Sequence, residues 1–398
     1  MAHPVDPLAA WQGIGSGAEL TLEAVELHRV ELAFRQPVRT ARGVHRRRPV
    51  LLVRLACRGP DGPVEGWGEC SALADATYDV EDVALAGATL EEVALPGLVA
   101  AAHDGGGLPS PSSVPGLPGF PIDRPLSVAA VEMAVADAHL RASGRSLATV
   151  VGAGPGPVAA GTVVGRAGGT AGLLEAVDAR VAEGFTRVKL KIAPADDLGP
   201  VGAVRHRYPD LLLQVDANEG YTDRGADHDR LAELDAFGLL CIEQPFPRGD
   251  LGAHARLAAR IATPVCLDES LTSPATVVEA LDRGACSVVC VKPSRLGGIG
   301  AALTVLSECR RRGVPVWMGG MFESGYARQV NATLAALPGF AWPGDLGPPS
   351  EYLVEDLLPD HRARPAEAPV PQVDGVGPPP DPRTVARSTS RSMRLGGG

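Results

Sequence analysis

Four segments decide how this chain folds: Leu211-Leu212-Leu213-Gln214-Val215-Asp216, Leu239-Leu240-Cys241-Ile242-Glu243, Pro264-Val265-Cys266-Leu267-Asp268 and Val288-Val289-Cys290-Val291-Lys292. Each is a short apolar run ending on a charged side chain, and an amphipathic stretch of helical length separates it from the next. That alternation is the signature of βα units and a parallel sheet. Working outward, the same rhythm predicts strands at 160–164, 187–192 and 314–318, with the least regular pattern around 341–345. Eight strands at this spacing argue for a closed β/α barrel over an open sheet, and a barrel gathers its strand ends on one catalytic face.

Asp216, Glu243 and Asp268 therefore converge. Three carboxylates in one place repel one another unless a cation joins them. No His or Cys stands at any strand end, so the donor set is all oxygen and suits Mg2+ first and Mn2+ second. The second predicted strand, Val188-Lys189-Leu190-Lys191-Ile192, puts both lysines on one face by simple alternation, here the barrel interior. Lys292 ends the sixth strand, which in an eight-strand barrel lies diametrically opposite.

Lysine usage sharpens this. Of the 37 basic residues only Lys189, Lys191 and Lys292 are lysine; the rest are arginine. Arginine cannot lose its proton in a protein, whereas a desolvated lysine can serve as a base. Two bases on opposite sides of a metal can take or return a proton at either face of a flat enolate. A Schiff-base aldolase would also need a strand-end lysine but would leave the three acids unexplained.

Ahead of the barrel the pattern differs. Residues 1–20 read as a loose arm. Residues 21–145 read as an α+β capping domain, with strands at 22–34, 50–57 and 64–69, a Gly59-Pro60-Asp61-Gly62-Pro63 turn, and helices at about 79–102 and 127–143. The barrel domain is assigned to 146–358. The remainder, 359–398, is expected to return to the cap and to end in a disordered tail from Thr384, because it is rich in Pro, Arg and Ser. Gly297-Gly298, at a helix start after the sixth strand, could cradle an anion or simply form a turn.

Bulk properties exclude several classes. A net charge of −10 argues against nucleic acid and anionic membranes as partners. No apolar run reaches the length of a membrane span and the N-terminus lacks a secretory pattern, so a cytoplasmic protein is expected. Seven cysteines without a CxxC pair are expected to be buried free thiols. The expected partner is a small-molecule carboxylate substrate, and a homo-oligomer remains open.

The chain resembles the o-succinylbenzoate synthase and N-acylamino acid racemase group of the enolase superfamily, in its muconate lactonizing enzyme subgroup. The likeness runs from about Leu32 to Asp356. It rests on Gly66-Trp67-Gly68-Glu69-Cys70, the Val188–Ile192 lysine strand, Val215-Asp216-Ala217-Asn218, Ile242-Glu243-Gln244-Pro245, Leu267-Asp268-Glu269-Ser270, Val291-Lys292-Pro293 with Arg295, and Trp317 through Gly325. The resemblance implies a (β/α)7β barrel with an N-terminal α+β cap. It implies that Asp216, Glu243 and Asp268 hold Mg2+ and that Lys191 and Lys292 form the acid/base pair. Lys189 would help hold the substrate carboxylate, and Asn218, Gly320, Met321 and Glu323 would line the pocket. Cap loops near 34–46 and 70–78 would close over the distal end of the substrate. The reaction implied first is dehydration to o-succinylbenzoate through a metal-stabilised enediolate, in menaquinone synthesis. Racemisation of an N-succinylamino acid is the alternative, with dipeptide epimerase more distant. Departures from the group's pattern are the arginine-rich 42–48 run, the 104–121 insertion and Tyr326-Ala327.

Overall fold

The computed structural model describes residues 5–15, 20–40, 43–121, 123–165, 168–359 and 364–396. Strands are numbered in chain order: β1 Thr21–Thr40, β2 Gly43–Gly59, β3 Gly62–Cys70, β4 Val158–Ala159, β5 Thr162–Val164, β6 Arg187–Lys191, β7 Leu212–Asp216, β8 Ile242–Glu243, β9 Val265–Leu267, β10 Val288–Val291, β11 Val316–Met318, β12 Glu367–Ala368 and β13 Thr389–Gly396. Strands β5 to β11 form one parallel sheet in chain order, with helices in the connections.

The eighth barrel position is filled but not by a regular strand. Residues 340–345 make isolated parallel bridges to both edges of the sheet, Phe340 to Val316 and Gly344 to Ala160. Backbone hydrogen bonds from Asp345 N to Met318 O (2.8 Å) and from Gly161 N to Gly344 O (2.6 Å) close the ring. Pro343 lacks an N–H and so interrupts the ladder, and Gly344 passes where a Cβ would lie 2.6 Å from the Met318 carbonyl oxygen. The fold is the β/α barrel with an α+β cap that the sequence predicts.

The cap is an antiparallel sheet in the order β13-β1-β2-β3, covered by the helix Pro125–Ala142 and by the helical stretch Val83–Asp104. That stretch widens to a π-type turn at Leu90–Ala94, just before Pro96 interrupts the backbone donors. By length and composition alone it could cross a membrane. Here Leu90, Leu95 and Leu98 pack into the core of the cap, while Glu91 and Glu92 lie on its outer side.

Two expectations about the chain ends are corrected. The arm contains a helix, Pro7–Gln12, which buries Trp11 against the barrel core. In place of a disordered tail from Thr384, residues 382–388 are helical and β13 pairs with β1. Met393 and Leu395 of β13 alternate inward onto the cap core, a period-two signal hidden among Arg and Ser.

The Gly66-Trp67-Gly68-Glu69-Cys70 stretch has a packing reason. β3 lies directly on the helix Pro125–Ala142, and a Cβ at Gly68 would overlap the carbonyl oxygen of Ala130, while one at Gly66 would overlap that of Ala134. Tyr326 is fully buried and donates its hydroxyl to the Trp67 carbonyl at 2.7 Å, tying β3 to the barrel helix Gly325–Ala335. Gly68→Ala forces strand and helix apart, a backbone clash with no flexible atom to yield. A loss of about 1–3 kcal/mol or more is expected, seen as a lower urea midpoint with unchanged slope; an unchanged midpoint would mean the cap packs more loosely than described.

Candidate active site

Each strand-end residue reaches the mouth because apolar neighbours on the same strand face outward into the helical layer. On β6, Val188 and Leu190 join the outer core with Leu213 and Val215 of β7. Arg187, Lys189 and Lys191 consequently point inward, at successive depths.

Lys191 sits at the rim, its side chain 32% exposed. It donates to Asp216 Oδ2 and to Asn218 Oδ1, each at 2.6 Å. Lys292, behind β10, donates to Asp268 Oδ2 at 2.7 Å and is nearly buried. Three strands separate β6 from β10 in the ring, so the two amines face each other across the mouth. Lys189 lies deeper, 4% exposed, with its ammonium 2.7 Å from Asp345, 3.1 Å from Glu243 and 3.4 Å from Asp216. It also lies over the Trp317 ring, 4.8 Å from the centroid. Its contacts are with the protein's own carboxylates.

Burial alone would push all three lysines down, but neighbouring acids outweigh it: Asp345 and Glu243 for Lys189, Asp216 for Lys191, and Asp268 for Lys292. The net direction is upward in each case. Arg295 opposes the rise at Lys292. Among the acids, burial followed by repulsion from Asp216 pushes Glu243 up to about 8. Burial opposes ionisation of Asp268 as well, yet Arg295 and Lys292 hold it well below the usual carboxylate range.

Among the described residues, one group has ligand atoms all within 4.8 Å of one another: Glu243, Asp268 and Cys290. Asp216 stands outside this triplet, with one oxygen on the two lysines and the other accepting the Asn218 amide at 3.0 Å. Cys290 is a poor partner for a hard cation because burial pushes its thiol far up, keeping it protonated. All seven cysteines are free and buried, as expected.

The pocket residues divide. Asn218 holds Lys191 and donates to Glu269 at 2.9 Å. Met321 packs its sulfur 3.4 Å from Arg295 Nη2. Gly320 lies against Arg328 and the carbonyl of Asp345. Glu323 turns away from the mouth: its carboxylate takes Met321 N at 2.8 Å and Asn331 at 3.0 Å and pairs with Arg328, so it shapes the 319–323 turn. Next to that turn, a Cβ at Gly319 would lie 2.7 Å from Lys292 Cε, so a glycine leaves room for the lysine stem.

Several supporting residues escaped the sequence reading. Gln214 donates to Glu243 at 2.6 Å and accepts from Arg187. Asp345 takes both Arg187 and Lys189. Gln244 accepts Asp268 N at 3.0 Å and holds the Ser270 loop. Arg187 and Gln214 were available from alternation, one step deeper than Lys189 and Asp216. Arg48, from the arginine-rich run, is buried and donates to the carbonyls of Ser71 and Ala72 in the cap and of Phe322 in the barrel. Arg295, which the sequence did mark beside Lys292, reaches from Asp268 to Asp79 and the Tyr78 carbonyl.

A recess between cap and barrel lies beside the mouth, lined by Phe34, His45, Arg47, Tyr78 and Phe322. A larger cavity, about 640 Å³ between Arg35, Arg328, Asp356 and Thr384, contains none of the strand-end lysines or acids.

Residues 172–384 match the enolase C-terminal domain-like family. The chain is 40% identical over 378 residues to an N-succinylamino acid racemase of an Amycolatopsis species, covering 95% of this chain and all of that protein. It is 35% identical over 372 residues to an o-succinylbenzoate synthase of Geobacillus stearothermophilus, covering 93% and 96%. The solved structure of a probable mandelate racemase from Alicyclobacillus acidocaldarius, 38% identical, superposes with a TM-score of 0.85 over 94% of this chain and 99% of that one.

Asp268→Asn would leave Lys292 and Arg295 buried without their shared anion. A destabilisation of about 3–5 kcal/mol is expected from such a broken buried pair, read from urea melts in chelator-treated buffer. A loss below 1 kcal/mol would mean that water solvates both cations.

Proposed function

This chain belongs to the enolase C-terminal domain-like family, and from that membership we propose that it is a divalent-metal-dependent enzyme that removes the proton α to a carboxylate, with o-succinylbenzoate synthesis as its reaction. The single observation that carries the reading is the pair of lysines, Lys191 and Lys292, facing each other across a ring of strand-end acids. Asp216, Glu243 and Asp268 would hold the cation, Mg2+ or Mn2+. The residues fit it: the donors are hard oxygens, and Glu243 is pushed up by burial and by Asp216, a repulsion that a cation relieves. Bound there, the metal would stabilise negative charge developing on the substrate carboxylate and would offset the acids that now hold the lysines up.

The chain's own residues do the rest. Lys191 Nζ, fixed by Asp216 and Asn218, takes the α-proton. In dehydration the electron pair left on the α-carbon expels the β-hydroxyl, which departs as water after gaining a proton. Lys189 keeps the acids beneath charge-balanced, and Asn218, Gly320 and Met321 line the pocket while Glu323 braces the turn. Arg48 joins the cap segment Ser71–Ala72 to Phe322 and so sets the distal wall.

Racemisation of an N-succinylamino acid is the second reading. It is favoured by the placement of Lys292 opposite Lys191, since racemisation needs a base on each face, and by the 40% identity to a relative named for that reaction.

Chelation is expected to abolish both activities and Mg2+ or Mn2+ to restore them, whereas full activity in metal-stripped protein would sink the metal assignment. Lys191→Ala is expected to lose synthase activity. Lys292→Ala should lose racemisation yet still exchange the α-proton of one enantiomer with deuterium; exchange of both at wild-type rates would remove Lys292 from the chemistry.

A further inference from the structure

The Gly297-Gly298 turn is filled by a carboxyl group, and that group belongs to the protein. Glu132, on the cap helix Pro125–Ala142, is 1% exposed. Its Oε2 accepts Ile299 N at 2.5 Å and its Oε1 accepts Gly300 N at 3.1 Å. These are the first amides of the 14-residue barrel helix Ile299–Arg312, so the carboxylate caps that helix from another domain. No cation pairs with Glu132 among the described residues, and burial pushes it up to about 8 although both amides pull the other way.

The glycines are shaped to this carboxylate. A Cβ at Gly298 would overlap Glu132 Oε2, and one at Gly300 would lie 3.0 Å from Oε1 and 2.6 Å from Trp11 Nε1. Gly298 has φ +130°, a conformation that side chains rarely adopt.

What the capped turn carries is Lys292. Between β10 and the capped helix there are only Lys292 itself, one helical turn, Pro293–Leu296, and two glycines. Leu296 N bonds to the Lys292 carbonyl at 3.0 Å, and Gly298 N to the Pro293 carbonyl at 2.8 Å, so the segment moves as one piece. Its near end is fixed by the β10 ladder and its far end by Glu132. Lys191 belongs to β6, across the barrel, and shares none of these bonds.

We propose that Glu132 is a positioning residue for Lys292: the cap carboxyl pins the far end of the 292–300 segment and so holds one of the two bases in place, with no direct bond to the other. The inference rests on the two-lysine reading above. An unpinned segment would displace Lys292 directly and would reach the other face only through Arg295 and Asp268, while Asp216 and Lys191 keep their own bond, so the face served by Lys292 would be affected more.

Deuterium exchange at the α-carbon of each N-succinylamino acid enantiomer reads the two lysines separately. Lys292→Ala first identifies the enantiomer that depends on Lys292. Glu132→Gln keeps the shape but turns an N–H toward one of the amides, and exchange of that enantiomer should fall about tenfold or more, as small displacements of reacting groups do, and clearly more than exchange of the other. Gly300→Ala, which crowds the carboxylate from the barrel side, should give the same asymmetry, and in both variants the Ile299 and Gly300 amides should lose hydrogen-exchange protection. Equal losses for both enantiomers, or no loss despite deprotected amides, would overturn the positioning role. If Lys292→Ala itself slowed both enantiomers alike, the two-lysine reading would fail and this inference with it.

Discussion

Everything at the barrel mouth depends on one electrostatic constraint: ammonium groups cannot be buried there unless carboxylates meet them. An unpaired buried charge costs several kcal/mol even after relaxation. Lys189, almost without solvent, is therefore surrounded by Asp345, Glu243 and Asp216. Lys292 and Arg295 divide Asp268 between them. The arrangement holds charged groups at fixed distances, so little reorganisation would be needed if charge developed on a bound molecule there. It also explains why the lysines are held up rather than down by the protein alone, and why a cation on the same acids would shift them toward use as bases.

A second layer of interactions joins this mouth to the cap. Glu69 of β3 accepts Ser324 at the head of the Gly325–Ala335 helix, Arg48 spans cap and barrel carbonyls, and Arg295 holds Asp79. Phe322 takes a left-handed φ of 55° and packs edge-on against Phe34 and Tyr352. Polar ties of this kind are directional, so they fix the orientation of the loops around the recess in a way that apolar contact alone would not. The walls of the recess are thus built from residues of both domains.

Much of this was legible from the chain, and the part that was not has physical reasons. Period-two alternation put Lys189 and Lys191 inside the barrel, and strand-end position identified Asp216, Glu243, Asp268 and Lys292. A strand was read around 341–345, but Asp345 at its end was not singled out because Trp342-Pro343-Gly344 shows no clear alternation; its place is fixed by two neighbouring edges rather than by its own propensity. Arg48 stood in a charged run that was legible only as a departure from the group's pattern, and its burial rests on contacts 23 to 274 residues away in sequence. Glu132 was invisible for the same reason, since the amides that it accepts begin 167 residues away in sequence. Composition misled at the C-terminus, where pairing with β1 orders a segment rich in Arg and Ser.

The central claim is α-proton abstraction by opposed lysines, and one NMR time course in D2O tests it. The protein with Mg2+ is incubated with an N-succinylamino acid and with the succinyl-hydroxycyclohexadiene carboxylate precursor of o-succinylbenzoate. The account predicts loss of the α-proton signal, appearance of the aromatic product, or both, and neither in a variant in which both Lys191 and Lys292 are alanine. Wild-type protein inert toward both substrates, or a doubly substituted variant that still turns them over, would contradict it.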